Sequence, residues 1–149
     1  MRINYFQIYL LVFLISLLPK ILIIIYFPSI IEGNDQETYL RVAKNILSGC
    51  GIAGGPDNES CNPTSMGPKV PGYPIMLAFV MLLTDSSYFF LKIFNALTIS
   101  FSIIYFLRTL KTLINSKFLF FTIGTILSLS PITLPWSRFI LTEPISISI

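Results

Sequence analysis

Residues 5–27 read YFQIYLLVFLISLLPKILIIIYF, and only Gln7, Ser16 and the pair Pro19–Lys20 interrupt the apolar run. At a rise of about 1.5 Å per residue, a helix of this length matches the roughly 30 Å hydrocarbon core of a bilayer. A cleaved signal peptide would carry a shorter apolar core, of about 7–15 residues, ended by small residues. This run leaves instead through YFPSIIEG, so a retained anchor over 5–27 is expected. The rest of the composition points the same way. The 149 residues are 54% hydrophobic and 11% charged, with a mean hydropathy of +0.77, whereas soluble domains carry about a quarter charged residues. An all-α integral membrane protein is predicted.

Working outward, residues 32–51, EGNDQETYLRVAKNILSGCG, concentrate charge just past the anchor, with Glu32, Asp35, Glu37, Arg41 and Lys44. Tyr39, Val42, Ala43, Ile46 and Leu47 recur at the spacing of one helix face. Asn34 with Glu37 three residues on matches a capping box, and Gly49 suits a C-terminal cap. The stretch predicts an amphipathic helix over about 35–48, lying at the membrane surface. Asp35 would stand near its start, a place acidic residues also occupy simply to offset the helix dipole.

A second short apolar helix is expected over about 74–84, and further spans over 88–107 and 118–135. Between those spans, residues 108–117 hold Arg108, Lys111 and Lys117. The excess of basic residues in cytoplasmic loops places this connector and the N-terminus inside, with 28–87 as a large outer loop. Residues 136–149 then form an outer turn and the start of a further span, and the chain reads as the first part of something longer. The whole is expected to be one multi-pass membrane region, in a bacterial plasma membrane rather than the endoplasmic reticulum.

The net charge of +3 forms no basic stripe interleaved with aromatics, so nucleic-acid binding is excluded. With no histidine in the chain, acid–base chemistry falls mainly to carboxylates. Cys50 and Cys61 share one polar loop and form either a disulfide, in an oxidising compartment, or two thiols. In MGPKVPGYPIMLA, residues 66–78, Pro68, Pro71 and Pro74 make either a stiff wall presenting Lys69 and Tyr73 or a plain helix entry. Arg138 and Glu143 fall at the outer end of the 118–135 span, where charges are costly unless paired, hydrated or used. Lys20, deep in the anchor, either snorkels outward or meets an anionic group in the bundle.

Three segments in order carry a family resemblance: D-x-x-x-Y-x-x-x-A-x-x-I-x-x-G from Asp35, P-x-x-P-G-Y-P from Pro68, and S-P followed by R-F-I-L-T-E-P from Ser130 to Pro144. The pattern resembles the N-terminal region of GT-C-fold glycosyltransferases, in the branch of protein O-mannosyltransferases and lipid A aminoarabinose transferases. The resemblance covers nearly the whole chain but only about the first third of such an enzyme. It implies a helical bundle whose large first extracytoplasmic loop carries interfacial helices. It also implies sugar transfer, with inversion, from a polyprenyl-phosphate carrier to a lipid, glycan or protein acceptor.

In that reading Asp35 is the general base and Glu143 the acid of the second outer loop. Lys69 and Arg138 meet the lipid phosphate, and Tyr73 and Tyr39 line the substrate. Gln36 stands where relatives often have a second acid. Oxygen ligands would suit Mg²⁺ or Mn²⁺, which only some families of this fold use. Two other classes fit the composition: a non-catalytic truncated module or subunit, and a fragment of a transporter or flippase, whose internal repeat is not visible here.

Overall fold

The computed structural model describes residues 4–27, 34–52, 72–114, 116–131 and 133–136; the side chains of Asn34, Asp35, Pro135 and Trp136 are outside that description. Every regular element among the described residues is a helix: α1 Tyr5–Tyr26, α2 Asn34–Leu47, α3 Gly72–Leu83, α4 Tyr88–Leu110, α5 Lys117–Ser128 and α6 Thr133–Trp136. Two of them, α1 and α4, are long and apolar enough to cross a membrane. The chain divides into two units. One comprises residues 1–28, 92–138 and 143–149, and the other comprises residues 29–91 and 139–142.

In the first unit, α1 starts with a reciprocal cap: Gln7 N donates to Asn4 Oδ1 and Asn4 N to Gln7 Oε1, both at 2.9 Å. Two orphan donors at the helix start are thereby satisfied. The buried side chains of α1 are Ile8, Val12, Ser16, Lys20 and Ile24, one every fourth residue, a ridge suited to packing against neighbouring helices. Ile8 and Val12 join Ile99, Ile103 and Leu107 of α4 and Phe120 of α5 in one apolar core. Gly124 lets α5 approach closely. A Cβ there would lie 2.8 Å from Leu107 Cδ1 and 2.9 Å from Val12 Cγ2.

The apolar run expected as one span over 118–135 is divided. α5 ends at Ser128 and α6 begins at Thr133. Pro131 explains the break, because it lacks an N–H and pushes the residue before it out of helical geometry. The Thr133 hydroxyl lies 3.1 Å from Leu127 O, the carbonyl that a residue with an N–H at position 131 would bond, and 3.2 Å from Ser130 O. The expected connector over 108–117 is also shorter, since α4 continues through Arg108 to Leu110.

In the second unit, α2 packs on α3. Its C-terminus closes with Gly49 N donating to Ile46 O at 3.2 Å and Cys50 N to Asn45 O at 2.8 Å, the Schellman arrangement. Gly49 takes φ +84 to make it. Tyr39, Val42 and Ala43 are buried as the periodicity predicts, but Leu40 is buried too and Leu47 is 39% exposed. The covered stripe thus runs through Gln36, Leu40 and Ala43, and Leu47, the last helical residue before the turn, falls off it. α3 and α4 are joined through Asp85 and Ser86, both at positive φ.

Candidate functional site

In the second unit, the α2–α3 contact brings two of the candidate residues together. Asp35 lies in the first turn of α2, and Tyr39 follows it one turn later. Tyr73 occupies the first turn of α3. The two tyrosine rings meet edge to face, with centroids 5.2 Å apart and planes at 87°, the geometry favoured by the aromatic quadrupole. Both are nearly covered, at 6% and 5% exposure. Gln36 is buried at 2% exposure, whereas Glu37 is exposed. Gly72 and Pro74 lie within the helical first turn of α3, so that part of the proline-rich stretch is a helix entry. Cys50 is disulfide-bonded, and the chain's other cysteine, Cys61, lies outside the described residues. Lys69, Arg138 and Glu143 lie outside them as well.

The first unit holds a polar cluster that sequence reasoning did not assemble. Lys20 is fully buried. Its ammonium donates to Ser16 O at 2.9 Å, to Ser16 Oγ at 2.8 Å and to Ser128 O at 3.5 Å. It therefore neither snorkels to a surface nor meets an anionic group among the described residues. Ser16 Oγ lies 3.0 Å from Ser100 Oγ, and Ser100 Oγ donates its proton to Ala96 O at 2.8 Å. That fixes the direction of the chain: Lys20 donates to Ser16, Ser16 to Ser100, and Ser100 to the α4 backbone. Three helices are tied by one cation. Ser128 Oγ is buried and has no hydrogen-bond partner among the described residues.

Lys92, Asn95 and Ser100 are also buried on α4. Their signal was present in the sequence, as polar residues three to five apart inside an apolar span, a pattern that marks the inward face of a bundle. Elsewhere, hydroxyls on these helices bond their own backbone: Thr98 to Phe94 O, Ser102 to Thr98 O, and Thr125 to Phe121 O, at 2.8–3.0 Å. The start of α1 meets the basic α4–α5 turn. Lys111 Nζ lies 4.4 Å from the Tyr5 ring centroid and Lys117 Nζ 5.5 Å from it, while Tyr5 and Tyr9 both abut Phe120 edge-on.

Among the described residues no group of three or more histidine, cysteine or carboxylate side chains could hold a metal ion. The carboxylates of Asp35 and Glu143 lie outside the described residues. No family model, curated protein or solved structure matches the chain.

Proposed function

We propose that the chain is part of a membrane-embedded glycosyltransferase that moves a sugar from a polyprenyl-phosphate carrier to an acceptor at the extracytoplasmic face. The observation that carries this reading is the Tyr39–Tyr73 contact at 5.2 Å. It joins the helix bearing the Asp35 motif to the helix entered through P-G-Y-P, two segments far apart in sequence that the reading requires in one place.

Membrane insertion is supported by the inverted polarity of α1. Ser16 and Lys20 are fully buried, while Leu10, Leu14, Leu18 and Leu22 are 39–54% exposed. In water this arrangement wastes apolar area; in lipid it hides the costly polar groups and presents leucine to acyl chains. Self-satisfied hydroxyls on α4 and α5 are equally at home there. The Tyr5–Lys111–Lys117 contacts bring the chain's start and its basic connector to one end, in keeping with a cytoplasmic placement of both. A disulfide at Cys50 accords with an oxidising compartment for the 28–87 loop.

In the proposed reaction the Asp35 carboxylate accepts the proton of the acceptor hydroxyl, whose oxygen bonds the anomeric carbon from the face opposite the phosphate. The anomeric carbon–oxygen bond to the carrier breaks, and polyprenyl phosphate leaves with the electron pair. Lys69 and Arg138 offset its charge, Glu143 is the second acid, and Tyr39 and Tyr73 line the substrate. Any divalent cation would add charge neutralisation at the phosphate. The test is sugar transfer from a polyprenyl-phosphate donor by membranes carrying the native-length protein. Asp35→Asn abolishes transfer and leaves insertion intact; transfer at the wild-type rate in that variant sinks the assignment. An inserted wild-type protein without transfer from any such donor points to the non-catalytic or transport reading.

A further inference from the structure

Both faces of α3 are apolar, and packing within the chain covers one of them. Tyr73, Leu77, Ala78, Val80 and Met81 are buried, and α2 packs on this helix. Ile75, Phe79, Leu82 and Leu83 are 49–69% exposed. They recur at i, i+4, i+7 and i+8, which makes them one stripe along the helix. α2 is arranged the other way. Its apolar face, expected to lie on the membrane, is already spent: Tyr39, Leu40, Val42 and Ala43 are no more than 6% exposed, whereas Glu37 and Lys44 are exposed. Apart from Leu47 at its end, α2 has little apolar surface left for lipid.

The chain itself says what meets the α3 stripe. Only residues 84–87 separate α3 from α4, and α4 is long and apolar enough to cross a membrane. A connection of that length reaches at most about 18 Å. Here it folds tighter still: Ser86 N donates to Met81 O at 3.0 Å, Ser87 N to Thr84 O at 3.1 Å and Leu91 N to Ser87 O at 3.3 Å. The stripe is therefore held beside the start of α4. Tyr88, Phe89 and Phe90 at that start belong to the same unit as α2 and α3 and are exposed. Aromatic rings collect at the level where membrane meets water. With 12 residues, α3 is about 18 Å long and cannot cross a hydrocarbon core of roughly 30 Å.

We propose that the exposed stripe of α3, with Tyr88, Phe89 and Phe90, seats this unit in one leaflet of the lipid bilayer, and that α2 rides on α3 away from the acyl chains. A helix lying in a leaflet buries its apolar face about 5–10 Å into the boundary between headgroups and acyl chains. Packed helix axes are about 8–10 Å apart, so the helix bearing Asp35 stands among the headgroups, level with lipid phosphate. The seat rests on the membrane-inserted reading above, though not on the transferase chemistry.

The test uses nitroxide labels on the native-length protein in phosphatidylcholine vesicles. Each label is read by its collisions with oxygen, which concentrates in lipid, and with a nickel chelate, which stays in water. Leu18→Cys, on the exposed side of α1, is measured first. A label there that meets the nickel chelate would overturn the membrane reading, and the seat with it. With Leu18→Cys in lipid, labels at Phe79→Cys and Leu82→Cys meet oxygen at a depth of about 5–10 Å, while one at Lys44→Cys meets the nickel chelate. Collision with the chelate at either α3 position would overturn the proposal with the membrane reading intact. So would shielding of those positions from both probes, which would mean that protein covers the stripe. A Lys44→Cys label at acyl-chain depth would overturn the placing of α2.

Discussion

Replacing Gly124 by alanine sets two opposing effects of known size against each other. In a helix interior alanine is favoured over glycine by about 1 kcal/mol. Here the new methyl would lie 2.8 Å from Leu107 Cδ1, 2.9 Å from Val12 Cγ2 and 3.0 Å from Val12 Cγ1. The leucine contact is with the far end of a flexible side chain, which can turn away. Val12 cannot. It is fully buried, its two methyls both face the glycine, and a β-branched side chain in a helix has essentially one rotamer. Overpacking of this kind costs about 1–3 kcal/mol, so Gly124→Ala is expected to be net destabilising, by up to about 2 kcal/mol. In a Val12→Ala background the space exists, and the same change becomes neutral or stabilising by about 1 kcal/mol. A double-mutant cycle on the purified protein, read as chemical unfolding in detergent by loss of helicity, should show coupling of at least 1 kcal/mol. Additivity within about 0.5 kcal/mol would refute the close approach of α1 and α5.

Two further substitutions probe the other local arguments. Ser16→Ala removes one acceptor from the Lys20 ammonium and the donor to Ser100. By the same unfolding assay it should cost about 1–2 kcal/mol, and Ser100→Ala should cost less, because Lys20 keeps all its acceptors. A combined cost equal to the sum would show that the three side chains do not act as a chain. Gly49→Ala meets no atom within 4 Å, so its cost is backbone strain alone, about 1 kcal/mol at φ +84. Gly49→Asn should cost less, since asparagine tolerates that conformation, and a reversed order would contradict the cap assignment.

Some of this architecture was legible because the signals are local. α1 spans Tyr5–Tyr26 against an expected 5–27, and α2 spans Asn34–Leu47 against 35–48, since hydropathy, period and the Gly49 cap all act within a few residues. The division of 118–135 was not read, because Leu129, Ser130 and Pro131 barely lower the hydropathy of their window. Hydropathy measures transfer, whereas the break comes from a missing N–H. Lys20 stood out as a charge in an apolar run, but its acceptors did not. Ser16 is one turn away, yet Ser128 is 108 residues distant, and no periodicity links them. The pairing of Tyr39 with Tyr73 is likewise tertiary. Of the expected site, that pair is brought together; Lys69, Arg138, Glu143 and the Asp35 carboxylate fall outside the described residues.

The proposed transfer at the extracytoplasmic face requires the Asp35-bearing loop to lie outside the membrane and the α4–α5 turn inside it. Site-directed thiol labelling in intact cells tests it most directly, and the disulfide at Cys50 leaves the unmodified protein as a blank. Lys44 and Leu113 are both exposed, so Lys44→Cys and Leu113→Cys present accessible thiols. A membrane-impermeant maleimide should label Lys44→Cys in intact cells and Leu113→Cys only after permeabilisation. Labelling of both from outside, or of Leu113→Cys alone, would contradict the account.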